Sequence, residues 1–144
     1  MYATKIVNLF EKYRAAFKSY NLNQVVKFYH LPCTLHTPDK VVLLSNPHDC
    51  KQELSNIFEQ LKQAQTSEIL ARKASYSVVT DNLLLASVDW EFLDEKGEIF
   101  ADFCAVYHLA LIDTELKIIN VVSHDLSNSL LLQHPLELRG ENLP

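Results

Sequence analysis

LLLASVDWEFL, residues 83–93, decides the architecture. Its even positions, Leu84, Ala86, Val88, Trp90 and Phe92, are apolar, and Ser87, Asp89 and Glu91 fall between them. A period of two marks a strand with one buried face, because successive side chains point to opposite sides. The stretch at 98–112 repeats the pattern on odd positions, with Phe103, Ala105, Tyr107, Leu109 and Leu111 on one side and Asp102, Cys104, Val106 and His108 on the other. Residues 68–79 and 116–124 read as two further strands. The breaks at Asp81-Asn82, at Asp94-Glu95-Lys96-Gly97 and at Asp113-Thr114-Glu115 are short enough to imply antiparallel hairpins.

Ahead of this meander the period is helical. Ile6, Phe10, Tyr13, Phe17 and Tyr20 recur every three or four residues, which predicts a helix over 4–20. Asn21 with Gln24 resembles a capping box opening a second helix over 22–30, which would bury Val25, Val26, Phe28 and Tyr29. Asn46-Pro47 opens a third, with Asn as N-cap, Pro in the first turn and Asp49 at the positive helix end. Two short extended pieces, CTLHT and VVLL, lie between. The order predicts an α+β fold: a curved antiparallel sheet wrapped around three helices from the N-terminal half, a cystatin-like cone. Residues 1–124 form one domain on this reading, and 125–144 are a tail to which the pattern assigns no form.

Composition narrows the function classes. The chain has 144 residues, 48% hydrophobic and 22% charged, which suits a soluble globular domain. A net charge of -5, with scattered Lys and Arg, disfavours nucleic acid as a partner. No run of eighteen apolar residues suggests a membrane span, and the first residues do not look like a signal peptide. Three cysteines without a CxxC pair suit a reducing compartment, so a cytoplasmic location is expected. Only Gly97 and Gly140 are glycines, too few for a phosphate-cradling loop, and no cofactor is expected.

The segments Tyr13-Arg14-Ala15-Ala16-Phe17, Asn21-Leu22 and Val25-Val26-Lys27-Phe28-Tyr29, in this element order, resemble the nuclear transport factor 2-like superfamily, which includes SnoaL-like proteins and ketosteroid isomerase. The resemblance spans about residues 4–124. It implies a cone with an apolar pocket at its open end, often in a dimer. When the isomerase pattern is laid on residues 13–40, Tyr13 matches the tyrosine that donates to a developing oxyanion. The proton-moving aspartate falls on Thr37, which is no base near neutrality, and the second donor falls near Ala105 or Tyr107. Arg72 lacks the Arg-x-Asp neighbour of the epoxide-hydrolysing relatives. Fold likeness alone fixes no activity on such a scaffold.

Under this reading the pocket is lined by Tyr13, Phe17, Tyr29, Trp90, Phe103, Tyr107 and Asn120, and it takes a small apolar molecule. Asn120 and His124 are expected inward because they share parity with Leu116, Ile118 and Val122. The enzymatic alternative is an isomerase, lyase or hydrolase using Tyr13 with His36 or His124. A third alternative is an interaction module. Tyr13 and Tyr29 also read as aromatics at a core edge, and His36 as an exposed imidazole. His30, Cys33 and His36 have ligand-like spacing, but Pro32 breaks any helix through them and strand parity separates Cys33 from His36, so no metal site is expected. The mixed outer face of Ser87, Asp89, Asp102, Cys104 and His108 suits a homodimer contact.

Overall fold

Helix α1 (Tyr2–Lys18) turns Ile6, Leu9, Phe10, Tyr13, Ala16 and Phe17 inward, all of them buried. Helix α2 (Leu22–Val26) starts at Asn21, whose side chain accepts from the Gln24 amide at 3.1 Å. β1 (Tyr29–His36) and β2 (Val41–Leu44) follow, then α3 (Pro47–Gln63), capped by Asn46 accepting from the Asp49 amide at 2.9 Å. Four strands come next: β3 (Thr66–Thr80), β4 (Leu83–Asp94), β5 (Ile99–Ile112) and β6 (Glu115–His124). A 3-10 turn (Leu126–Asn128) and a short strand β7 (His134–Leu136) are the last elements among the described residues. The computed structural model describes residues 2–138; the end of the predicted tail, 139–144, lies outside the described residues. No helix among them is long and apolar enough to cross a membrane.

The three helices pack against one curved seven-stranded sheet of order β2-β1-β6-β5-β4-β3-β7. The predicted parity holds in β4 and β5: Leu84, Ala86, Val88, Trp90, Phe92, Ala105, Tyr107 and Leu109 are buried, and Phe103 packs against the same core. Phe10 joins helix to sheet, its ring 4.8 Å from Tyr107 and 6.4 Å from Trp90. Asp113 and Thr114 both take positive φ, the geometry of a two-residue hairpin turn between β5 and β6.

Three features depart from the sequence reading, and a fourth adds to it. First, β1 pairs with β6 in parallel, so the sheet is antiparallel everywhere except at that one junction. Second, α2 stops at Val26, and Tyr29 begins a strand instead of ending a helix. There the Ile118 amide donates to the Phe28 carbonyl at 2.8 Å, and sheet pairing takes the backbone that a longer helix would have used. Third, the β5–β6 register slips between His108 and Leu109, which pair with Asn120 and Ile118, leaving Ile119 as the extra residue of a bulge. Parity flips at that point: Leu116 and Ile118 face inward before it, Val121 after it, and Val122 is exposed. Fourth, residues 125–138 are laid against the sheet. Ser129 Oγ donates to Asp89 Oδ2 at 2.6 Å, and the Leu132 and Gln133 amides donate to Ser75 and Ser77 hydroxyls at 2.9 and 3.0 Å. β7 then pairs with β3. Ser75, Ser87, Asp89 and Cys104 belong to the outer face by parity, yet all four are buried, and Ser75 and Asp89 are bonded to this strap.

Candidate functional site

The wide end of the cone holds a cavity of about 570 Å³, within the range of small-molecule pockets. Its floor comes from α1 and the middle of the sheet: Tyr13, Phe17, Tyr29, Trp90, Ala105 and Tyr107. Its mouth is formed by Thr37, Pro38, Ala101, Asp102, Phe103, Ser123, His124 and Asp125. α3 closes one side with Leu54, Ile57 and Leu61.

The polar groups of the floor are tied to one another. The Tyr13 and Tyr29 hydroxyls lie 2.6 Å apart, and Trp90 Nε1 donates to the Tyr107 hydroxyl at 2.8 Å. Burial pushes Tyr13, Tyr29 and Tyr107 well above the ordinary phenol value, each helped by a neighbouring ionisable group. Neutral phenols with raised pKa hold hydrogen bonds in a dry site; they are poor proton acceptors at neutral pH. Burial likewise pushes the Cys33 thiol up to about 12 and Cys50 to about 11, so neither is an activated nucleophile.

Six of the seven predicted pocket residues line the cavity: Tyr13, Phe17, Tyr29, Trp90, Phe103 and Tyr107. Asn120 does not. The bulge turns it to the outer face, where Nδ2 donates to Thr34 Oγ1 at 2.8 Å and Oδ1 lies 2.9 Å from His108 Nδ1. Of the three catalytic candidates, only Tyr13 places its functional atom in the floor. His36 borders the mouth where β1 runs into Thr37 and Pro38. His124 also reaches the mouth, with its Nε2 2.9 Å from the Asn128 carbonyl oxygen. No described hydrogen bond joins any two of the three. No cluster of metal-binding side chains exists among the described residues, and Cys33 is buried while His30 is exposed.

Among the lining residues that the sequence reading did not place here are Asp102, which it assigned to the outer face, and a buried arginine. Arg14 is buried and borders the cavity, with Nη2 donating to Glu11 Oε2. The sign was present in the spacing, four residues after Phe10 and three before Phe17, inside the apolar stripe.

Helices packed on one curved sheet, with an aromatic cavity at the wide end, define the α+β cone with a cystatin-like fold. The family described as NTF2-like protein (DUF6841) matches residues 4–126, and the chain belongs to it. No curated protein matches the sequence. An NTF-2 like protein of unknown function from Shewanella oneidensis MR-1 is similar in structure at 14% identity, with 87% of this chain and 100% of that chain covered and a TM-score of 0.71. A Nostoc punctiforme protein of unknown function with a cystatin-like fold covers 90% of this chain and 94% of its own at 8% identity, TM-score 0.71. A Shewanella frigidimarina protein provisionally named a ketosteroid isomerase covers 81% and 91% at 16% identity, TM-score 0.66. Likeness at these identities shows the fold.

Proposed function

We propose that this protein binds a small, predominantly apolar molecule in the cavity. The observation that carries the reading is an aromatic cavity of about 570 Å³ whose tyrosine and tryptophan polar atoms are already partnered, leaving ring faces for a guest. Steroid-type isomerisation is disfavoured, because the base position holds Thr37 at the mouth and the two imidazoles sit at the rim. The three cysteines are free and buried, which fits a reducing compartment such as the cytoplasm. Native mass spectrometry of freshly purified protein, with ligand-detected NMR against a library of apolar compounds, tests the reading. A bound molecule or hits that compete for one site are expected, and both should be lost in Ala101→Trp, which narrows the mouth. Absence of any binder, or binding indifferent to the blocked mouth, overturns it.

Self-association is the second part of the proposal. The strap covers the β3–β5 side of the outer face, while Leu43 (59% exposed) and Val122 (38% exposed) stay uncovered near Val41 (63%) on the β2–β1–β6 side. We infer a homodimer through that uncovered part. Sedimentation velocity of the wild type against Leu43→Lys checks it, and a wild type that stays monomeric at high concentration removes it.

A further inference from the structure

Arg14 sits where an amphipathic helix carries an apolar residue, and its side chain is only 4% exposed. Long cationic side chains are rarely buried without pairing, because their charge is costly away from water. Its described partner is Glu11 Oε2, through Nη2 alone. A guanidinium offers five N–H donors in a rigid fork, and only Nη2 has a described partner, while Glu11 Oε1 is buried beside it without one. Arg14 is also the one Lys or Arg among the described residues that line the cavity. The acidic residues of the lining, Asp102 and Asp125, belong to the mouth with Ala101, Phe103, Ser123 and His124, on other elements than α1.

We infer that the ligand of this cavity is an amphipathic carboxylic acid, its carboxylate held by Arg14 and its apolar body against Trp90, Phe103 and Tyr107. The inference rests on the small-molecule reading above and names the ligand's class. Three physical points support it. A carboxylate accepts from the guanidinium donors that Glu11 leaves open, and such charge-assisted hydrogen bonds are the strong ones. A monoanion asks less of this site than a phosphate dianion, because Glu11 already takes part of the charge of Arg14. Glu11 holds Arg14 in place and keeps the empty site near neutral, so it also competes with the guest for the cation.

The test is isothermal titration calorimetry with naphthylacetate and decanoate, each against its primary amide, which has the same shape without the charge. The full chain is used as wild type, Arg14→Gln and Glu11→Gln. The acids are expected to bind wild type at least about tenfold tighter than the amides, the ratio set by a charge-assisted pair in a dry site. Arg14→Gln should bring the ratio close to one. Glu11→Gln, which removes the competing carboxylate, should widen it. Equal binding of acid and amide to wild type overturns the carboxylate inference and leaves cavity binding standing. A preference that survives Arg14→Gln overturns the role of Arg14. Binding of neither member of either pair removes both readings. Should Arg14→Gln fail to fold, the ratios in wild type and Glu11→Gln decide alone.

Discussion

Removing the hydroxyl of Tyr13 tests whether the cavity floor is as dry as its geometry implies. Tyr13→Phe deletes one partner of the 2.6 Å contact and leaves the Tyr29 hydroxyl buried against aromatic neighbours. A buried polar group stripped of its partner costs about 1–3 kcal/mol. The orphaned hydroxyl is neutral rather than charged, so the lower half of that range, about 1–2 kcal/mol, is the expectation for each single variant. In the double variant both hydroxyls are gone, no unmatched group remains, and two phenylalanines of nearly the same shape replace the pair. Its loss should therefore be no larger than that of one single variant. The coupling across the cycle is then about 1–2 kcal/mol, well above the few tenths seen for independent sites.

Urea denaturation at neutral pH measures all four proteins, with the midpoint shifting and the slope unchanged. Additive single effects of a few tenths would refute the reasoning. They would mean that water inside the cavity satisfies the orphaned hydroxyl, so that the floor is wet and its tyrosines are open to solvent partners. That result would also weaken the case for an apolar guest.

Three further outcomes follow from the same geometry. Because burial raises the phenols of Tyr13, Tyr29 and Tyr107, the folded state keeps protons that the unfolded chain releases near pH 10, so stability is intact below that value and falls as pH rises above it. The slope is about 1.4 kcal/mol per pH unit for each tyrosine that stays protonated; urea midpoints at alkaline pH read it, and a flat profile past pH 10 contradicts the burial. Ser129→Ala removes the described partner of Asp89 and should cost about 1.5–3 kcal/mol, the loss of a hydrogen bond to a charged group; faster amide exchange in residues 126–136 checks that the strap is what loosens. Truncation after Asp125 should make the buried Cys104 thiol react with a disulfide reagent under native conditions, while in the intact chain it stays slow.

What the sequence disclosed and what it hid divide along a physical line. Local periodicity and caps were legible, because the even positions of 83–93 and the pairings of Asn21 and Asn46 depend on near neighbours. The sheet side of the cavity followed from strand parity, which is why Trp90, Phe103 and Tyr107 were found, and its helix side from the stripe that holds Tyr13 and Phe17. The bulge at Ile119 was not legible. Ile118 through Val122 reads apolar at both parities apart from Asn120, so no alternation betrays the slip, and Asn120 and Val122 were assigned to the wrong face. Tyr29 was lost to a helix for a related reason: the strand that claims it, β6, lies some ninety residues away, and loop closure of that range leaves no local trace. Arg14 was visible in the helical stripe, but a charge within an apolar stripe gains meaning only once a cavity is known to lie beside it.

The strap changes how the outer face of this cone should be understood. Alternation alone makes Ser87, Asp89 and Cys104 look like a half-polar surface waiting for another subunit. In the folded chain that surface is already buried: Ser87 Oγ and Cys104 Sγ lie 3.3 Å apart, and Ser129 of the strap donates to Asp89. Polar groups on this part of the sheet therefore serve the chain's own C-terminal segment, which is held by hydrogen bonds to serines and an aspartate, by the β7–β3 pairing and by Leu136 and Leu138 against the core. Its hydrogen bonds are individually modest, about 0.5–1.5 kcal/mol net for those to Ser75 and Ser77 and about 1.5–3 kcal/mol for that to Asp89. Detachment would expose the sheet face without disturbing the aromatic floor on the other side. Stability of the strap and occupancy of the cavity are then separable properties, and Ser129→Ala should loosen the first while leaving ligand affinity within a factor of about two. A tenfold loss of affinity in that variant would show that the two faces of the sheet are coupled through β4 and β5, and the separation would fail.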